Sequence, residues 1–177
     1  MESTKIADAF AKRKKTYLSV KIESLINDLI AAEFNASQLY KAMATWCEYS
    51  GYKGFACYFN KHTAEERAHM DKLYVYSLDR QCNPVTPAVK AQPTSFSDLK
   101  DVLTKALSHE ELIESTYKNA IKIAMAESDM TTFNLFLWYL NEQIEEISKF
   151  SYFLDRLEVI GYDKKGMFFL DAELLDR

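Results

Sequence analysis

Glu66 and His69 stand three residues apart in a stretch with helical periodicity, and both fall where a core leucine would be expected. The seam there runs Phe55, Phe59, His62, Glu66, His69, Leu73, Tyr76, in steps of four and three that keep these side chains on one inward face. A buried carboxylate costs several kcal/mol unless a cation or hydrogen bonds answer it. Glu and His at i and i+3 on one helix can grip one metal ion together. The competing reading is a surface Glu beside a satisfied core His, and Glu-x-x-His taken alone arises by chance.

Three further segments share the period and the interruption. The first runs Ile22, Ile26, Leu29, Glu33, Ala36, Tyr40, Met43, Cys47. Another runs Leu99, Leu103, Ala106, Glu110, Ile113, Tyr117, Ala120. The last runs Phe136, Leu140, Gln143, Ile147, Phe150, Leu154, with Glu146 one turn beyond Gln143. One polar residue on an apolar stripe is a tolerable defect. Polar residues on all of these stripes cannot be buried stably together without a common cation. Oxygen donors with one imidazole suit iron or manganese better than a thiolate-loving metal. The residues therefore point to a dinuclear metal site inside a helix bundle.

The elements that must position these residues follow from the punctuation. The chain has 177 residues, enough for one domain with a core, and only 4 Gly and 3 Pro, which favours long helices. Proline-free runs at about 18–49, 52–78, 97–126 and 131–160 are expected to be helical, and no hairpin dipeptide or sustained alternation suggests a sheet. Ser50-Gly51 marks a short turn. Residues 80–96 hold every proline, lack periodicity, and at ~3.3 Å per residue can run the length of a bundle. That lets the second and third helices point the same way, in an up-down four-helix bundle with one long crossover. Ser95-x-x-Asp98 reads as the start cap of the third helix. Glu127 to Thr131 turns the chain before the fourth. Gly161 and Gly166 are expected to separate off a tail, Met167 to Leu175, as a short fifth helix.

Net charge is −4, which leaves no overall footprint for nucleic acid. The 3 cysteines lack C-x-x-C spacing and read as reduced thiols of a cytoplasmic protein, with Cys47 and Cys57 expected to be buried. No apolar run approaches a membrane span, so no membrane partner is expected.

Over about residues 22–174 the chain resembles the bacterial non-haem ferritins. The resemblance rests on Glu33 to Tyr40, Ala44 to Cys47, Glu65-Glu66-Arg67-Ala68-His69-Met70, His109-Glu110, Phe133-Asn134, Trp138-Tyr139, Glu142-Gln143-Ile144-Glu145-Glu146 and the ending Phe168 to Asp171. It implies a ferritin-like bundle that assembles into a hollow homo-oligomeric shell of twenty-four subunits. Such a shell is a ferroxidase and an iron store: it oxidises Fe(II) with O2 or H2O2 and keeps the ferric mineral inside. By the same resemblance Glu33, Glu66 and His69 hold a first iron, Glu66 bridges to a second, and Glu110, Gln143 and Glu146 surround that second iron. Glu65, Glu142 and Glu145 match a third iron position, with a solvated acidic face as the alternative. Tyr40 matches the tyrosine beside the iron pair; for it and Trp138 a core aromatic is the alternative. Bacterioferritins repeat Glu-x-x-His where this chain has Gln143-x-x-Glu146 and carry a haem-binding Met where it has Arg67, so no haem is expected.

Residues 1–20 form an N-terminal extension before the bundle domain at 21–177, and include Lys12-Arg13-Lys14-Lys15. A surface extension is the plain reading; a basic arm for DNA or another anionic partner is the sharper one. A structural iron-binding shell with little ferroxidase activity is the alternative function.

Overall fold

The computed structural model describes residues 15–175. These form five helices: α1 (Val20–Ser50), α2 (Lys53–Asp79), α3 (Leu99–Ala126), α4 (Met130–Ile160) and α5 (Lys164–Leu175). Each of the first four has a stripe of buried residues at helical spacing, so burial of that stripe holds each helix to its neighbours.

Local chemistry sets the ends. Ser19 caps α1 by accepting from the Ile22 N–H at 3.2 Å. Gly51 ends α1 in the left-handed region at φ 90°, and its N–H returns to the carbonyls of Cys47 and Glu48. That turn folds α2 back along α1. Asp98, with extended backbone, caps α3 by accepting from Asp101 N–H at 2.8 Å. Ser95, expected to share that role, lies before the cap; the extended backbone and the short reach belong to Asp98. Asp129 caps α4 by accepting from Thr132 N–H at 3.0 Å.

The crossover climbs α1. Val85 N–H donates to Asn27 Oδ1 at 2.9 Å and Lys90 N–H to Asn35 Oδ1 at 3.1 Å. Further on, Phe96 packs edge-on to Trp46. The segment thus starts near the beginning of α1 and finishes near its end, which makes α3 run parallel to α2, as an all-α bundle with one long crossover requires.

Four expectations are corrected. Gly166 lies inside α5 rather than before it: a Cβ there would meet the Gly161 carbonyl oxygen at 2.1 Å, so the glycine permits a close approach. The buried stripe of α4 is Phe136, Tyr139, Gln143, Glu146, Phe150, Phe153, Leu157. Leu140, Ile147 and Leu154 are only partly buried, because rotating the helix by one residue brings Glu146 fully inward. Cys57 is exposed, two residues past inward-facing Phe55, whereas Cys47 is buried. The packed body also reaches back past residue 20: Leu18 is in the core, and Tyr17 N–H donates to the Arg80 carbonyl at 3.0 Å. Most of the basic run, Lys12 to Lys14, lies outside the described residues.

Docking of α5 places one side chain the sequence reading missed. Tyr52 gives α2 no side-chain cap. Asp171 of α5 supplies one from across the fold, accepting from Phe55 N–H at 2.8 Å. Gly54 allows this approach, since a Cβ there would sit 2.0 Å from the Asp171 carbonyl oxygen.

Candidate metal centre

The apolar interior divides into two clusters. One gathers Tyr40, Met43, Cys47, Phe55, Phe59, Ala106 and Phe150. The other gathers Leu29, Ile30, Leu73, Ile113, Tyr117, Phe136 and Tyr139. On every long helix the residues between them are polar: Glu33 on α1, His62, Glu66 and His69 on α2, Glu110 on α3, Gln143 and Glu146 on α4. All are buried except His69, whose side chain is 13% exposed. The helices therefore contribute a polar belt at one common level of the bundle.

Within the belt two groups form. Glu33, Glu66 and His69 bring one donor atom each within 4.8 Å of one another. His69 Nδ1 lies 3.3 Å from Glu66 Oε2 and 3.9 Å from Glu33 Oε2. The other group is His62, Glu65 and Glu146. His62 Nε2 sits 2.7 Å from Glu146 Oε2, and His62 Nδ1 is 3.4 Å from Glu65. Lys149 Nζ donates to the remaining Glu146 oxygen, Oε1, at 2.8 Å.

Tyrosines brace the carboxyls. Tyr40 OH donates to Glu110 Oε1, and Tyr117 OH donates to Glu33 Oε1. Tyr117 stacks on Tyr139 at 4.7 Å between ring centroids, and Tyr139 OH donates to the His69 backbone carbonyl at 2.7 Å. Trp138 meets the His69 ring edge-on. Among the described residues Glu33 Oε2, Glu110 Oε2, Gln143 Oε1 and His69 Nδ1 are buried with no hydrogen-bond partner.

The electrostatics follow. Burial, then repulsion from Glu66, pushes the Glu33 carboxyl well above its ordinary range. Burial lifts Glu66 to about 7. Burial and the charges of Glu146 and Glu33 lift Glu110 to about 8. Glu146 behaves oppositely: burial would raise it, but His62 and Lys149 prevail and hold it at about 2. His109, next to Glu110 and edge-on to Tyr40, is held down at about 4 by burial.

The expected ligands Glu33, Glu66, His69, Glu110, Gln143 and Glu146 thus share one belt, with Glu146 turned toward His62, Glu65 and Lys149. Glu145 is exposed and Glu142 partly so, on the same helix as Glu146. His62 lies on the α2 seam, and its position four residues before Glu66 was the available sequence signal for a place in this belt. Tyr117 was likewise on its seam, and only packing across helices shows that it pairs with Glu33.

No helix among the described residues is long and apolar enough to cross a membrane. Residues 23–160 match the family described as the ferritin-like domain. A probable bacterial non-heme ferritin-like protein of Haemophilus influenzae is 37% identical over 157 residues, covering 89% of this chain and 95% of that protein. The bacterial non-heme ferritin of Staphylococcus aureus is 33% identical over 157 residues, with the same coverage of 89% and 95%. Among solved structures, the open pore ferritin of Archaeoglobus fulgidus superposes with a TM-score of 0.87 at 29% identity, over 90% of this chain and 98% of that one. With this match and a bundle of the same architecture, the chain belongs to the ferritin-like family.

Proposed function

We propose that this protein stores iron, oxidising Fe(II) at a paired-metal site within each chain and depositing the ferric product inside a shell of many copies. The reading is carried by the buried donor atoms of Glu33, His69, Glu110 and Gln143, which lack partners among the described residues and lie together between two apolar clusters. Unanswered buried polar atoms are costly, and a cation is the species that answers oxygen and imidazole donors at once. The similarity to bacterial non-heme ferritins supports the same reading.

The roles divide by position. Glu33, Glu66 and His69 bind one ferrous ion, Glu66 reaches toward the second, and Glu110, Gln143 and Glu146 take that second ion. Tyr117 and Tyr40 fix the orientation of Glu33 and Glu110 by hydrogen bonds. Glu65, Glu142 and Glu145 are the candidate ligands of a third position. Anionic oxygen donors favour Fe(III) over Fe(II), so the belt makes bound iron easier to oxidise. Two Fe(II) each give one electron to one O2, which with two protons becomes H2O2; with H2O2 as oxidant the same two electrons and two protons give water. Protons leaving Glu66 and Glu110 as the metal arrives are available for this reduction. The apolar clusters on both sides exclude bulk water. A soluble assembly in the cytoplasm, of twenty-four subunits, suits this role.

Crystals grown without metal and soaked anaerobically in Fe(II) test the reading. Anomalous density is expected at the Glu33–Glu66–His69 position and beside Glu110. Density confined to surface carboxylates would overturn it.

A further inference from the structure

Glu146 differs from the other buried carboxyls of the belt. Glu33 and Glu110 each keep one oxygen without a partner among the described residues. Glu146 has both oxygens engaged, Oε2 by His62 at 2.7 Å and Oε1 by Lys149 at 2.8 Å. A metal ion approaching Glu146 meets oxygens that already serve two other partners, and competes with them for their negative charge.

The two partners are not equally fixed. His62 is buried and wedged among the rings of Tyr40, Tyr58 and Phe150. Lys149 carries its ammonium on a flexible stem, with a side chain 42% exposed. It lines a pocket of about 520 Å³ together with Lys61, His62, Glu65, Tyr58 and Tyr152. The negative charges of Glu65 and Glu145 also reach it. The ammonium thus has somewhere to go when it leaves Glu146, and the Glu65 carboxylate lines that space.

Resting on the paired-iron reading above, we infer that Lys149 is a tethered counter-cation that competes with an incoming ferrous ion for Glu146. Lys149 thereby weakens the metal positions that use Glu146, relative to the Glu33–Glu66–His69 position. Glu65 lines the same pocket and groups with Glu146, so Lys149 competes for a third ion held there as well. The consequence is asymmetry: the first ion is held firmly, while later ions are held loosely and pass on. A store needs this, because oxidised iron has to leave the ligands that oxidised it.

Anaerobic calorimetric titration of Fe(II) into the assembled, metal-free protein tests the inference with Lys149→Met and Lys149→Arg. Removing a charge-assisted hydrogen bond that competes with metal should tighten the later binding steps about ten-fold in Lys149→Met. Lys149→Arg keeps the charge and should stay near the parent. The first step should be equal in all of them. Later steps in Lys149→Met that are unchanged or weaker would overturn the inference while leaving the metal centre intact. Absence of the first step in the parent would overturn the metal centre itself, and the role of Lys149 with it.

Discussion

Replacing Glu66 by Gln should stabilise the metal-free protein, and only at higher pH. Burial holds the Glu66 carboxyl at about 7 against an ordinary value of 4.5. At about 1.4 kcal/mol per pH unit, that gap is worth about 3 kcal/mol. The sign follows from proton counts. The unfolded chain releases this proton near pH 4.5, whereas the folded chain keeps it until about 7. Folding therefore takes up a proton in that window, and stability falls as pH rises through it. Gln stays neutral and is spared the fall. Because Glu66 and Glu33 interact, they titrate as a pair, and the neutral amide also relieves repulsion on Glu33. The assay is thermal unfolding of chelator-treated protein at pH 5 and pH 8. Relative to the parent, the Glu66→Gln midpoint should rise by roughly 6–12 °C between these pH values, on the usual scaling for chains of this size. A divalent cation should raise the parent's midpoint at pH 8 and the variant's much less. An equal offset at both pH values, or a variant less stable than the parent at pH 8, would refute the reasoning.

Other expectations can be checked separately. Glu66→Ala should abolish rapid Fe(II) oxidation in stopped-flow absorbance, and His69→Ala should slow it less completely, while light scattering shows the assembly unchanged in both. Glu142→Ala combined with Glu145→Ala should leave the first irons bound and oxidised but alter the ratio of iron oxidised to oxygen consumed, measured with an oxygen electrode. Gly54→Ala should lower the unfolding midpoint by a loss of about 1–3 kcal/mol or more, because its methyl would drive the Asp171 backbone, 2.0 Å from the ideal Cβ, away from the start of α2.

Much of the buried polar belt was legible because it breaks a pattern. Glu33, Glu66, Glu110 and Gln143 each interrupt an apolar repeat, and a repeat predicts burial whatever residue occupies it. The helices were legible for the same reason, and their ends because glycine, proline and capping side chains act locally. Partner choice was not legible. Which tyrosine meets which carboxyl, as Tyr117 meets Glu33 and Tyr40 meets Glu110, depends on how helices from distant parts of the chain dock. Asp171 capping α2 depends on α5 folding back, which no local signal announces. The α4 stripe was misjudged because Leu140, Ile147 and Leu154 carry the same period as Tyr139, Glu146 and Phe153. Apolar content favoured the first set, whereas the bundle turned the second inward. No local signal marks Lys149, whose hold on Glu146 follows from that same rotation.

Aerobic titration of Fe(II) into the metal-free assembly, followed at the ferric-oxo absorbance, tests the central claim most directly. Rapid oxidation of about two ferrous ions per chain is expected, followed by slower growth of mineral within particles of constant outer size. Oxidation no faster than in buffer, or a rapid phase that persists unchanged in Glu66→Ala, would contradict a paired-iron centre built from this belt.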